Sequence, residues 1–259
     1  MTVGTKTRTK KAIVGISFFF LLLVVGFFTL LLNPQSLFAH QSSYKNYHIY
    51  SGEEPNLKPL EGILDQAEER LKTSELYDES YKYDIFFSHN HFYNRLDNLV
   101  FGSWAAARAI DNNLIVKIET DFDQGVAYTE DDQLDLVYLF THEMMHCLQA
   151  NAYGKRKFNP FFPPPLWKLE GYPEYVARTN FKELNLRMAI ALILDMKVEM
   201  PFEVVKVENE PTPYFYYKSY LMTRYLIEIK SKTYDDILRD ERTEEEVWEE
   251  VVDWAVQTH

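Results

Sequence analysis

Within the 259 residues of this chain, one short stretch combines side chains that can do chemistry at a spacing that brings them together: Thr141-His142-Glu143-Met144-Met145-His146. On a helix, side chains at i and i+4 lie about 40° apart and one turn up, so His142 and His146 can reach a single metal ion. Glu143 stands beside them, placed to take a proton from a water on that metal. Leu139, Met145 and Leu148 offer an apolar face behind the pair. Two imidazoles do not close a metal site, and no histidine follows His146 until His259. A carboxylate therefore has to complete the ligand set, and Glu170 and Glu174, on a second predicted helix, are the candidates.

The segment Trp167-Lys168-Leu169-Glu170-Gly171-Tyr172-Pro173-Glu174-Tyr175 resembles the W-x-x-E-G-x-x-x-Y segment of the gluzincin metallopeptidases. The resemblance implies Zn2+ held by His142, His146 and Glu170. It also implies an α+β, zincin-like domain: a small twisted sheet with an edge strand, a zinc-site helix, a glutamate helix and C-terminal helices. The implied activity is hydrolysis of peptide bonds in a peptide or protein substrate by a water that zinc and Glu143 activate. Glu174, one turn beyond Glu170, is placed to accept the second ring N–H of a ligand histidine, as an acidic residue at this offset does in thermolysin-like members. Its plainer reading is an exposed helix carboxylate. Tyr216-Tyr217-Lys218-Ser219 is similar to the Y-x-K-G motif of the aminopeptidase branch, with Ser219 for glycine. This similarity makes Tyr216 the oxyanion donor, with Tyr217 and Tyr220 as alternatives. The same branch reads the substrate N-terminus with a Gly-x-Met-Glu-Asn stretch, where this chain has GSWAAARA (Gly102 to Ala109), so aminopeptidase activity is not implied. The metzincin pattern is excluded, because Ala152 stands where its third histidine belongs and Gln149 where its glycine does. The alternative function is a zincin fold kept as a membrane-tethered binding or sensor domain without turnover.

Positioning these residues requires a scaffold, and the pattern of the chain predicts one. Leu60, Ile63, Leu64, Ala67 and Leu71 recur at helical spacing behind Pro59 in a first turn. Lys82–Ser88 and Asn113–Glu119 read as strands; the polar end of the second marks it as the edge strand that aligns an extended peptide. Leu134 to Ala152 is the zinc-site helix. The prolines of KFNPFFPPPLW forbid helix and set a stiff connector, whose FFPPP part could also wall a cleft. From Leu166 the pattern is helical with an irregular start, despite Gly171 and Pro173. An apolar helix over Leu184–Met196 follows, then a loop with Pro201, Pro211 and Pro213. Two helices close the chain, Tyr216–Ile229 and one from Thr243, where Thr243 and Glu246 form a capping box. The acids Glu244 to Glu246, Glu249 and Glu250 read as its solvated face, with Val247, Val251 and Trp254 inward. His89 and His91 suit a loop or capping role better than a second metal site.

With 46% hydrophobic and 25% charged residues, the composition suits one domain with a core. The lone Cys147 excludes a disulfide scaffold, and no phosphate loop, GxSxG elbow or zinc-finger spacing occurs. Ala12–Leu32 is a 21-residue run without charge, and at about 1.5 Å per residue it matches the bilayer core. A cleaved signal would have a shorter apolar region, and Leu37 stands where a small residue is wanted before Ala39. The expected organisation is a cytoplasmic basic tail (1–11), a transmembrane helix (12–32), a stalk (33–56) and a metallopeptidase-like domain (57–259). Lys6, Arg8, Lys10 and Lys11 keep the tail cytoplasmic and send the domain to the extracytoplasmic side. Beyond them, 23 basic residues face 39 acidic ones, a balance that repels nucleic acid and anionic lipid.

Overall fold

A computed structural model describes residues 3–257 except 104, 130, 131, 155, 156, 159–162, 180–184, 199, 208 and 209; for 3–14 and 210 it describes backbone only. An apolar helix α1 (Val3–Leu32) and a short 3-10 turn (Pro34–Leu37) lead into β1 (His40–Tyr44) and β2 (Tyr47–Ser51), then α2 (Leu57–Leu71), β3 (Tyr83–Phe87) and α3 (Phe92–Phe101). Next come β4 (Ala107–Ile110) and β5 (Asn113–Val116), and the strands β6 (Glu119–Asp121), β7 (Val126–Tyr128) and β8 (Gln133–Asp135). The second half is mainly helical: α4 (Leu136–Tyr153), α5 (Leu166–Ala177), α6 (Leu186–Asp195), a hairpin β9 (Val204–Val207) and β10 (Glu210–Pro213), then α7 (Tyr214–Glu228), α8 (Tyr234–Arg239) and α9 (Glu244–Val256).

The main sheet has the order β1-β2-β3-β5-β4, with β2, β3 and β5 parallel and the two outer strands antiparallel. Alternate side chains of a strand point to opposite faces, and each face of this sheet is covered. Ile49, Ile85, Leu114 and Val116 join the main core with α2, α4, α5 and α7, whereas Tyr50, Phe86 and Ile115 pack with Leu31 of α1, Phe38 and Tyr93. The β6-β7-β8 meander delivers the chain to α4, where the Asp135 carboxylate accepts the Tyr138 N–H at 2.6 Å and caps the helix. At the far end Gly154 adopts φ 91°, and its N–H closes on the Ala150 carbonyl.

Several elements stand where the pattern puts them. The five predicted inward residues of α2 are all buried, and the Thr243–Glu246 capping box opens α9. His91 caps α3, accepting the Tyr93 N–H at 3.2 Å. Four expectations are corrected. Residues 33–56 are no stalk: β1 and β2 are strands of the main sheet, joined at Lys45-Asn46 and paired through β2 to β3. Their polar Ser, Gln and His content belongs to an outer strand covered only in part. Asn113–Glu119 is no edge strand either, since β5 is paired on both sides and β4 is the outer strand. Its polar end misled because Lys117 is buried against Asp97 at 3.0 Å, and Glu119 starts another sheet. The zinc-site helix is buried all round rather than amphipathic, with 13 of its 18 residues inside, as befits the central helix of a domain. A third C-terminal helix, α8, is present with its own capping box at Thr233 and Asp236, six residues being too few to show a period. Phe161 and Phe162 of the FFPPP segment, Leu184 and Trp104 lie outside the described residues.

Helices α5 and α7 approach closely at Gly171. A Cβ on Gly171 would stand 2.3 Å from Thr223 Oγ1 and 2.7 Å from the Ser219 carbonyl oxygen. Helix propensity alone would make Gly171→Ala stabilising by about 1 kcal/mol, but the Ser219 carbonyl is backbone and cannot turn aside. Overpacking should win, and the variant should unfold about 1–3 kcal/mol more easily. Denaturant unfolding measures this, and a stability equal to or above that of the parent would show that the helices are free to part.

Candidate metal centre

His142 and His146 sit one turn apart on α4, and Glu170 reaches them from α5. His142 Nε2 lies 3.2 Å from Glu170 Oε2 and 3.2 Å from His146 Nε2, and His146 Nε2 lies 3.3 Å from Glu170 Oε2. These three atoms form a nearly equilateral triangle. A tetrahedral zinc with bonds of 2.0–2.1 Å needs ligand atoms about 3.3–3.4 Å apart, so the donor set and its spacing fit Zn2+. The three residues are also the group, among the described residues, whose ligand atoms converge closely enough to hold a metal.

The other ring nitrogens explain why both Nε2 atoms turn inward. His142 Nδ1 lies 3.1 Å from Glu174 Oε1, and His146 Nδ1 lies 2.8 Å from Gln149 Oε1. The Gln149 oxygen is in hydrogen-bond contact with His146 Nδ1 and the Glu174 carboxylate stands beside His142 Nδ1; a proton held on Nδ1 leaves the Nε2 lone pair for a metal. Glu174 is wholly buried, not the exposed carboxylate of its plainer reading. It takes the Arg178 Nε–H at 2.7 Å and the Tyr138 hydroxyl. Arg178 in turn donates to Thr212 Oγ1 at 2.7 Å and lies over the rings of Tyr138, Tyr217 and Tyr220. Burial would raise the Glu174 carboxyl, but Arg178 and His142 pull it down to about 2.

Gln149 has a second function that begins at Pro173. Proline lacks the N–H that would bond the carbonyl four residues back, here that of Leu169. Gln149 Nε2 donates to this carbonyl at 3.0 Å and to the Tyr234 hydroxyl at 2.7 Å. The gap left by Pro173 thus fixes the amide that orients His146, and α5 runs unbroken from Leu166 without the irregular start its sequence suggests. Gln149 and Arg178 are the site residues that motif reading missed. Their signals were present at helical spacing, Gln149 three residues after His146 and Arg178 four after Glu174.

Glu143, next to His142, is 8% exposed, and burial raises its carboxyl above the usual range while the two histidines pull the other way. Tyr216, half-buried in the first turn of α7, has its ring centroid 6.0 Å from that of His142. Burial, then the charges of Glu170, Glu143 and Glu174, hold its hydroxyl protonated. Tyr217 and Tyr220 are buried against Arg178 instead. His89 is exposed, and His91 stacks on Phe38 at the other face of the sheet.

Two measurements follow from this geometry. Gln149→Leu should weaken zinc binding by about 10–100-fold, read by competition with a chelating dye, and an unchanged affinity would remove the orienting role. The second concerns protons in the metal-free protein. Burial would lower His142, but hydrogen bonds and charge from Glu170 and Glu174 outweigh it and raise it to about 10; His146 is raised by Glu170 against burial. Glu170 is held low by the same histidines against its burial. Zinc binding at pH 7 should therefore release protons, and affinity should climb as the pH rises. Calorimetry in buffers of different ionisation enthalpy counts the protons, and a release of none would contradict the protonated state of these rings.

No curated protein matches the chain. Residues 85–258, which run from within β3 past α9 and include every residue of the centre, match the family described as collagenase, peptidase M9. With two thirds of its length inside that match and a His-His-Glu triangle of the right size for the metal, the chain belongs to this family of zinc metallopeptidases.

Proposed function

We propose that this protein is a membrane-anchored, gluzincin-type endopeptidase that cleaves extended polypeptide chains. The observation that carries the reading is the triangle of His142 Nε2, His146 Nε2 and Glu170 Oε2, with sides of 3.2–3.3 Å. His142, His146 and Glu170 would hold a zinc ion there, which would supply Lewis acidity to lower the pKa of a water towards about 7 and to polarise the scissile carbonyl. Glu143 takes the proton of the attacking water and passes it to the leaving amine, and a carboxyl raised by burial suits both halves of that transfer. Tyr216, still carrying its proton, donates to the developing oxyanion. Glu174 keeps the His142 ring in the tautomer that presents Nε2. The outer strand β4, against which α4 packs, takes the role first assigned to Asn113–Glu119 and pairs with the substrate backbone. The absence of a Gly-x-Met-Glu-Asn stretch speaks against an aminopeptidase. The family's description makes unwound collagen chains a substrate to assay beside casein.

α1 contains an 18-residue span, Gly15–Leu32, of mean hydropathy 2.6 that is almost entirely exposed. Retention of this helix as an anchor, rather than its removal as a signal, is supported by its final turn. Leu31 is 1% exposed in the core, and the carbonyls of Leu31 and Leu32 accept hydrogen bonds from the Tyr93 hydroxyl and the Asn113 amide at 2.7 and 2.8 Å. Removing α1 would leave these buried donors unpaired. The basic residues before the span place the domain on the extracytoplasmic side.

Full-length protein in detergent, assayed on gelatin and casein with and without chelator, tests the reading. Glu143→Gln should retain zinc and lose activity by about 10²–10⁴-fold, whereas Glu170→Ala should lose the metal itself. Undiminished cleavage by Glu143→Gln would end the assignment, and zinc bound without any cleavage would favour a tethered sensor.

A further inference from the structure

We propose that α3 lies in the interfacial layer of the bilayer beside α1, so that the domain is seated on the membrane by two helices and does not swing from one. This rests on the reading of α1 as a membrane span. α3 turns apolar residues outward as well as inward. Its inward face carries Tyr93 and Asp97, both 0% exposed; Asp97 is paired with Lys117 at 3.0 Å and Arg108 at 3.5 Å. Its outward face carries Phe92 and Leu99, 50% and 77% exposed, with half-buried Leu96 between them at i+4. A surface helix in water turns polar and charged residues outward. An outer face carrying Phe and Leu is of the kind that buries in the headgroup–acyl boundary of a bilayer.

Lipid is the occupant that the surroundings select. Leu96, Val100 and Phe101 pack on the same cluster as Phe27 and Leu31 of α1, so the apolar surface of α3 continues that of Phe28, Leu30 and Leu32, each 41–43% exposed. In a chain with 39 acids against 27 bases, this outward face has no acid, and the only acid of α3 is the buried Asp97. The one charge there, Arg95, is an exposed cation whose long stem can lie along the interface with its head in the phosphate layer. The docked end of α1 gives the arrangement its rigidity, because the Tyr93 hydroxyl that donates to the Leu31 carbonyl belongs to α3 itself. The zinc-site helix then faces away from the lipid, on the opposite side of the sheet, at a set height above the membrane.

The test uses the full chain in phosphatidylcholine nanodiscs, with single nitroxide labels at Phe20→Cys, Phe92→Cys, Leu99→Cys and Glu245→Cys. The native Cys147 is wholly buried and takes no label. Accessibility to oxygen, which concentrates in lipid, is compared with accessibility to a water-soluble nickel chelate. Labels at 20, 92 and 99 should favour oxygen, with 92 and 99 shallower than 20, and the label at 245 should favour nickel. Labels at 92 and 99 that behave like 245 while 20 stays in lipid would overturn the seating and leave the anchor standing. A label at 20 that favours nickel would overturn both.

Discussion

Three ligand atoms separated by 3.2–3.3 Å tolerate shifts of only a few tenths of an ångström, and two of them belong to α4 while the third belongs to α5. The approach of α5 is therefore the constraint on which the centre depends. Behind Glu170, Gly171 lets α5 press against the backbone of α7 at Ser219. Ahead of it, Gln149 from α4 takes up the carbonyl that Pro173 leaves without a partner. Glycine and proline weaken an isolated helix. Here each defect is used by a neighbour, and together they set where Glu170 and Glu174 stand relative to the two histidines.

Holding several carboxylates in a dry site costs solvation, and the fold offsets that cost locally. Glu174 is matched by Arg178, whose guanidinium is itself enclosed by three tyrosine rings and Thr212. Glu170 faces the two imidazoles. Removing one member of such a pair leaves the other as a buried unpaired charge, typically costing about 3–5 kcal/mol. The network also connects the site to distant chain segments, since Thr212 belongs to β10 and Tyr217 and Tyr220 to α7. Tyr216 reaches the His142 ring because its helix starts directly after that hairpin.

The main sheet separates two clusters of the core. One face supports the zinc-site helix; the other receives the end of α1, the 3-10 turn and α3. Period-two alternation makes this possible within single strands, as in β3, where Ile85 serves the main core and Phe86 the cluster that contains Leu31. The match to the collagenase family starts at residue 85, within β3. α1, β1 and β2 thus precede the matched region, and β1 and β2 are built into the same sheet.

The histidine pair His142 and His146, the neighbouring Glu143, the apolar span and the capping box of α9 were all legible in the chain, because each depends on residue type at a short, fixed spacing. Local periodicity likewise revealed α2, β3 and the helices around the site. What lay beyond local reading was decided by packing between distant segments. Whether Asn113–Val116 is a central or an outer strand depends on β4 joining it, and whether 40–51 is tether or sheet depends on β3. The roles of Gln149 and Arg178 arise only where α4, α5, α7 and β10 meet. Spacing along one helix is set by its own geometry, whereas the partner of a strand edge or a buried charge is chosen by whichever remote segment the fold brings against it.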